Sequence, residues 1–155
     1  MRRKEREVTD IKDIFDILRR CDTVRIGING GDYPYVVPVS FGTELIGERP
    51  VIYFHCAREG RKLDMIMNRP DVCVEGDIFI RTEMNARGIT AIYESVIGFG
   101  RCRFAETEEE ILHGLKLIID HYGYPDYDLC ECGAASRVKI GVIELESISG
   151  KHNPG

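Results

Sequence analysis

Val51-Ile52-Tyr53-Phe54-His55-Cys56-Ala57-Arg58-Glu59-Gly60-Arg61-Lys62 is the segment on which the architecture turns. Val51 to His55 is apolar without alternation, the mark of a strand covered on both faces, with barrel closure or a dimer interface supplying the second cover. The chain then turns at Gly60. Leu63, Ile66 and Met67 fall on one side of a short helix over Gly60 to Asn68, and Pro70 stops it.

Upstream, Thr23 to Ile28 alternates with period two, and Asn29-Gly30-Gly31-Asp32 supplies the positive-φ residues of a hairpin turn into a second strand, Tyr35 to Phe41. Before these, Ile11, Ile14, Phe15, Ile17 and Leu18 trace one face of a helix between Thr9 and Cys21, capped by Thr9 or Asp10. Downstream, Val72 to Ile80 is a fourth strand and the polar residues 81–90 read as a loop. Ala91 to Ala105 is a fifth strand, interrupted by Gly98 and Gly100, where bulges or close backbone approaches are expected. Thr107 and Glu110 form a capping box for a helix that runs through Tyr122 and ends at Gly123. A loop from Tyr124 to Ser136 leads to the last strand, Val138 to Ser147. Helices at the start, between strands three and four and between five and six do not alternate as in a doubly wound sheet. The predicted fold is therefore mainly β: a six-stranded antiparallel barrel with peripheral helices.

The chain has 155 residues, 43% hydrophobic and 30% charged, enough for one domain spanning residues 1–155 with its own core. A net charge of −5 argues against broad binding to nucleic acid or anionic membranes. No stretch approaches the roughly 20 apolar residues of a membrane span, and no apolar run follows Met1-Arg2-Arg3-Lys4-Glu5-Arg6-Glu7, so a cytoplasmic location is expected. Cys21, Cys56, Cys73, Cys102, Cys130 and Cys132 are expected to be reduced thiols. Cys130-Glu131-Cys132 with His113 and His121 matches no standard zinc framework, and no metal is expected.

Three stretches stand out chemically. Arg61 and Lys62 sit in the first turn of a helix whose N-terminus is already the positive end of the dipole, so they run against the usual preference for acidic residues there. They are either a solvated basic turn or an anion site, in which Gly60 amides, an Arg fork and a Lys ammonium suit a phosphate monoester. Tyr33 to Phe41 carries Pro38 in mid-strand, which marks an edge strand or a backbone turned toward a flat ligand. Tyr93 to Arg101 has glycines that permit close approach by a ligand or another strand, or simply bend a barrel.

Together these stretches resemble the FMN-binding split barrels of the pyridoxamine 5′-phosphate oxidase type, most closely their 5-nitroimidazole reductase (Nim) branch. The resemblance runs from Met1-Arg2-Arg3-Lys4 and Asp32-Tyr33-Pro34-Tyr35-Val36-Val37-Pro38 through Tyr53-Phe54-His55, Gly60-Arg61-Lys62 and Tyr93 to Gly100, to Ser149-Gly150-Lys151. It implies that Arg61 and Lys62 hold the FMN phosphate, and that Val37, Pro38, Val39 and Ser40 lie along the ring and ribityl chain. His55, Cys56 and Ala57 would line the cofactor before the phosphate turn, and Ser95 with Val96 would approach from the next subunit or strand. His55 is the candidate catalytic residue. Where the oxidases carry serine before the Arg-Lys pair this chain has Gly60, which removes one phosphate contact and weakens a pyridoxine-specific assignment.

The resemblance further implies a homodimer with FMN at the subunit interface, reducing a small electrophile such as a nitroaromatic, with NAD(P)H a possible electron donor. The alternative is a non-enzymatic flavin or haem carrier on the same barrel, with His55 in an apolar pocket as the axial ligand.

Overall fold

The computed structural model describes residues 3–86, 88–129 and 137–155. After a 3₁₀ turn at Lys4–Arg6 come β1 (Glu7–Val8), α1 (Ile11–Arg20), β2 (Val24–Ile28), β3 (Tyr35–Val39), β4 (Phe41–Ile46) and β5 (Arg49–Cys56). They are followed by α2 (Arg61–Asn68), β6 (Asp71–Asn85), β7 (Gly88–Phe104), α3 (Glu108–His121) and β8 (Lys139–Asn153). No described helix is long and apolar enough to cross a membrane.

All pairings are antiparallel, in the order β3-β2-β6-β7-β8-β5-β4, with β1 beside β8. The two ends of this sheet, β3 and β4, are consecutive in sequence and separated only by Ser40. A sheet whose edge strands are joined by one residue must curl on itself, yet no ladder links β3 to β4 among the described residues. The result is an open, split barrel, with β3 an edge strand, one of the two placements Pro38 left open.

Eight strands stand where six were expected, and the differences have local causes. The expected strand Tyr35 to Phe41 breaks at Ser40, and its continuation pairs with β5 as β4. Of residues 81–90, read as a loop, 81–85 extend β6 and 88–90 extend β7 as a two-stranded arm, with Thr82 opposite Ala91 and Met84 opposite Ile89. Their polarity was misleading because an arm beyond the barrel has little core to face, while Thr82, Ile89 and Thr90 still favour extended backbone. β8 likewise runs on to Asn153, where it pairs with Tyr93.

Inward residues of alternate strands fill the barrel: Ile26, Phe41, Ile52, Phe54, Val74 and Ile143 are buried, with Leu18 of α1 and Ile66 of α2 closing over them. Asp10 caps α1, accepting from the Lys12 amide at 2.7 Å. β5 is covered on both faces from Val51 to Phe54, but neither closure nor a partner provides the outer cover: α3 does, packing Leu115 and Ile118 on Val51 and Tyr53. Thr107 caps α3 by accepting from the Glu110 amide at 3.2 Å. The return bond goes to the Glu106 amide, one residue before the position a capping box uses. The bulge expected near Gly98 and Gly100 lies between Phe99 and Gly100, where a Cβ on Gly100 would stand 2.1 Å from the Glu144 carbonyl oxygen.

The end of α3 is held to the chain between α1 and β2. His121 Nε2 donates to the Cys21 carbonyl at 2.9 Å, with its ring against Phe41, and the Tyr122 hydroxyl donates to the Asp22 carbonyl. Burial holds the His121 imidazole below its ordinary pKa. A histidine whose folded pKa is depressed favours folding while neutral, so its contribution is complete above about pH 6.5 and is lost as pH falls from there through the folded value. Melting temperatures measured from pH 8 to pH 5 should therefore decline below about 6.5, and His121→Gln should remove that part of the decline.

Candidate functional site

The N-terminus of α2 reaches across the split. Arg61 extends over the Tyr35 ring of β3, 4.8 Å from its centroid, and Lys62 lies over the Phe54 ring of β5 at 5.1 Å. Two cations therefore stand side by side at one opening of the barrel, each resting on an aromatic face that orients it without neutralising it. No carboxylate ion pair is recorded for either among the described residues, whereas Arg20, Arg25, Arg81 and Arg103 all have one.

Gly60 precedes them with φ +131° and ψ 164°. L residues rarely adopt that backbone, and a Cβ there would project into open space, so the glycine serves the turn rather than packing. Lacking a side chain, Gly60 leaves the first amides of α2 uncapped. Free helix-start amides beside an Arg and a Lys make a donor set for a dianionic phosphate.

The pleat sorts the other expected cofactor residues. Val37 packs against the core and Val39, Cys56 and Val96 lie within it, so a ligand meets their backbone, not their side chains. Pro38, Ser40 and Ala57 are exposed, and Ser95 is half-buried. Pro38 pairs with Arg25, and Ser95 with Asp77 and Lys151, so Pro38 and Ser95 share the outward face of one sheet, separated by β2 and β6. Burial pushes the Cys56 thiol up against the pull of the Lys62 and Lys139 ammoniums, which keeps it neutral.

His55 departs most from expectation. It is exposed, and as the residue between inward Phe54 and Cys56 it points away from the face on which Lys62 sits. Among the described residues no apolar pocket of the kind an axial ligand needs forms around it. The sequence reading missed Tyr35 and Phe54 as supports of the two cations, because an aromatic residue in a strand has the same local signature whether it fills a core or carries a charge.

Elsewhere, His113 bonds Glu44, which also accepts from the Tyr53 hydroxyl, and His121 is committed to Cys21. Cys21, Cys56, Cys73 and Cys102 are free thiols, and no cluster that could hold a metal occurs among the described residues. Cys130 and Cys132 lie outside those residues. A cavity of about 550 Å³ between β1, α1 and the end of β8 is lined by Glu5, Glu7, Asp10, Asp13, Asp16 and Glu94. Glu94 is paired there with Arg20 at 2.6 Å and His152 at 3.0 Å. Its acidity suits it poorly to an anion.

An open antiparallel barrel with two cations at an uncapped helix start is the class that fold and site define. Residues 10–152 match the model of the pyridoxamine 5′-phosphate oxidase family, and the chain belongs to that family. Among solved structures, a candidate 5-nitroimidazole antibiotic resistance protein from Bacteroides thetaiotaomicron is similar at 27% identity and TM-score 0.82, over 94% of this chain and 85% of that one. A flavocytochrome from Azotobacter vinelandii shares the fold at 17% identity and TM-score 0.83, over 100% of this chain and 72% of that one. An FAD- and haem-binding protein from Mycobacterium smegmatis shares it at 13% and 0.80, over 97% and 74%. No curated protein matches the chain by sequence.

Proposed function

We propose that this protein is an FMN-dependent reductase, active as a homodimer with flavin between its subunits, that passes two electrons to a small electrophile such as a nitroaromatic. The observation that carries this reading is the pair Arg61 and Lys62 at the uncapped start of α2, Arg61 set on the Tyr35 ring of edge strand β3 and Lys62 on the Phe54 ring of β5. A phosphate monoester with a flat ring attached fits this arrangement: the phosphate meets two cations and helix amides, and the ring lies along an edge strand whose Pro38 makes no ladder donation. FMN in place would supply the two-electron chemistry. Arg61 and Lys62 bind and orient, the backbone along the free edge of β3 supports the ring, and no side chain is required as an obligatory acid or base. The 27% identity to a candidate nitroimidazole-resistance protein supports a nitroaromatic substrate class. A nicotinamide nucleotide is the proposed donor.

The test is anaerobic. Purified protein is titrated with FMN, reduced with NADH or NADPH, and mixed with a 5-nitroimidazole. Reoxidation of the flavin with stoichiometric loss of the nitro absorbance is the expected result. Protein that gains neither colour nor thermal stability with FMN would sink the flavin reading, and binding without reoxidation would leave a carrier.

A further inference from the structure

Lys139, the first residue of β8, faces the inside of the barrel. Ile140 and Val142 pack outward with α3, so Lys139, Gly141 and Ile143 alternate onto the inner face. There Lys139 stands opposite Cys56 of β5. Two residues further along, Gly141 lies between Phe54 of β5 and Phe104 of β7, in one row across the sheet. The Phe54 ring fills the space that a side chain on Gly141 would occupy, and the Lys62 ammonium stands 5.1 Å from its centroid. The Lys139 ammonium stands 5.6 Å from the centroid of Phe104, across the same glycine. Lys62 from a helix and Lys139 from a strand thus rest on the two rings that flank Gly141.

With Arg61 on Tyr35, three cations gather at this opening, each seated on an aromatic ring. Among the described residues none of the three has a carboxylate partner, not even Glu59 or Asp64, which flank Arg61 and Lys62 in sequence, whereas Lys116 on α3 is paired with Asp120. Both Lys62 and Lys139 are half-buried, so their mutual repulsion is only partly screened by water. Cys56 reports that the two stand around one point: burial pushes its thiol up, and the Lys62 and Lys139 ammoniums both pull it back. A chain of net charge −5 has therefore left three unneutralised cations together, an arrangement that an anion completes.

We propose that Lys139 is the third cation of the site at the start of α2, and that Arg61, Lys62 and Lys139 together bind the phosphate of a phosphate monoester. Such a phosphate offers three acceptor oxygens, so each cation takes a different one. Arg61 and Lys62 come from one turn of helix and Lys139 from the first residue of β8, and a phosphate held by all three ties α2 to the sheet. This inference rests on the phosphate reading above and adds to it a binding residue far from the Arg-Lys pair in sequence.

The experiment is a fluorescence titration of the full chain with FMN and, separately, with riboflavin, which lacks the phosphate. Lys139→Met removes the charge and keeps an apolar stem over Phe104, so the fold should stand, as circular dichroism and the melting temperature would show. Its FMN affinity should fall about 10- to 100-fold, the loss of one charge-assisted hydrogen bond, with riboflavin affinity unchanged. Lys139→Arg, which keeps the charge, should recover most of the loss. Inorganic phosphate should raise the melting temperature of the wild type more than that of Lys139→Met, because an anion bound only by the folded chain stabilises it. Unchanged FMN affinity in Lys139→Met, equal losses for FMN and riboflavin, or an arginine variant as weak as the methionine one would each overturn the inference. Arg61→Ala with Lys62→Ala in the same series separates the two readings. If that protein loses FMN and Lys139→Met does not, Lys139 alone is misassigned; if neither loses FMN, the phosphate reading falls with it.

Discussion

Replacing Arg61 and Lys62 together by alanine is expected to weaken FMN binding by about 100- to 10,000-fold. Each cation supplies charge-assisted hydrogen bonds to a phosphate worth roughly 1.5–3 kcal/mol, so the pair accounts for about 3–6 kcal/mol of binding. The folded protein should lose little. Arg61 is exposed and Lys62 half-buried, and what each gives the fold is a contact over Tyr35 or Phe54 of about 0.5–1 kcal/mol. Riboflavin is the control ligand because it lacks the phosphate. Fluorescence titrations should show wild type and variant binding riboflavin with similar affinity and diverging only for FMN. Equal FMN affinity in the two proteins, or equal losses for both ligands, would move the phosphate away from the start of α2.

Gly141→Ala is expected to cost about 3 kcal/mol or more, and to disturb the site as well as the fold. Gly141 on β8 lies opposite Phe54 on β5 and Phe104 on β7. A Cβ at that position would stand 2.2 Å from Phe54 Cζ and 2.3 Å from Cε1. The Phe54 ring is fully buried, so it can yield only by pushing its neighbours, and overpacking of a dense core typically costs 1–3 kcal/mol before backbone shifts are added. For a chain of this length that lowers the melting temperature by roughly 10 °C. Because Lys62 rests on the same ring, the displacement should also reduce FMN affinity in protein that remains folded. Phe54→Leu in the Gly141→Ala background makes room and should recover part of the stability without restoring the seat under Lys62. A melting temperature within 2 °C of wild type would show that the ring moves freely.

The parts of this protein legible in the sequence are those written in nearest neighbours and short periods. The 3.6-residue spacing in Ile14, Ile17 and Leu18 marks α1, and Thr107 before three glutamates marks the start of α3. Pro38 narrowed β3 to an edge strand or a strand with its backbone turned from a neighbour, and the residues after Gly60 put two cations in the first turn of α2. These hold because propensity, capping and the loss of one amide donor act within a few residues, whatever the rest of the chain does.

The sequence determined that β5 is buried on both faces, but only the tertiary structure decided that its outer cover is α3, since the period of a strand says that a side chain is hidden and not what hides it. It determined two cations at a helix start, but not that Tyr35 and Phe54 would carry them, because those contacts join residues 26 and 8 positions apart through the curl of the sheet. His55 was legible as a strand-end histidine, and the pleat alone sent it to the face opposite Lys62. Residues 81–90 were legible as polar. That they form an arm depends on a ladder between Arg81 and Ile92 and outward to Asn85 and Gly88, a register inherited from the barrel behind them. In each case the deciding term is a long-range packing or pairing contact, whose energy appears only when the sheet has closed far enough to bring distant residues together.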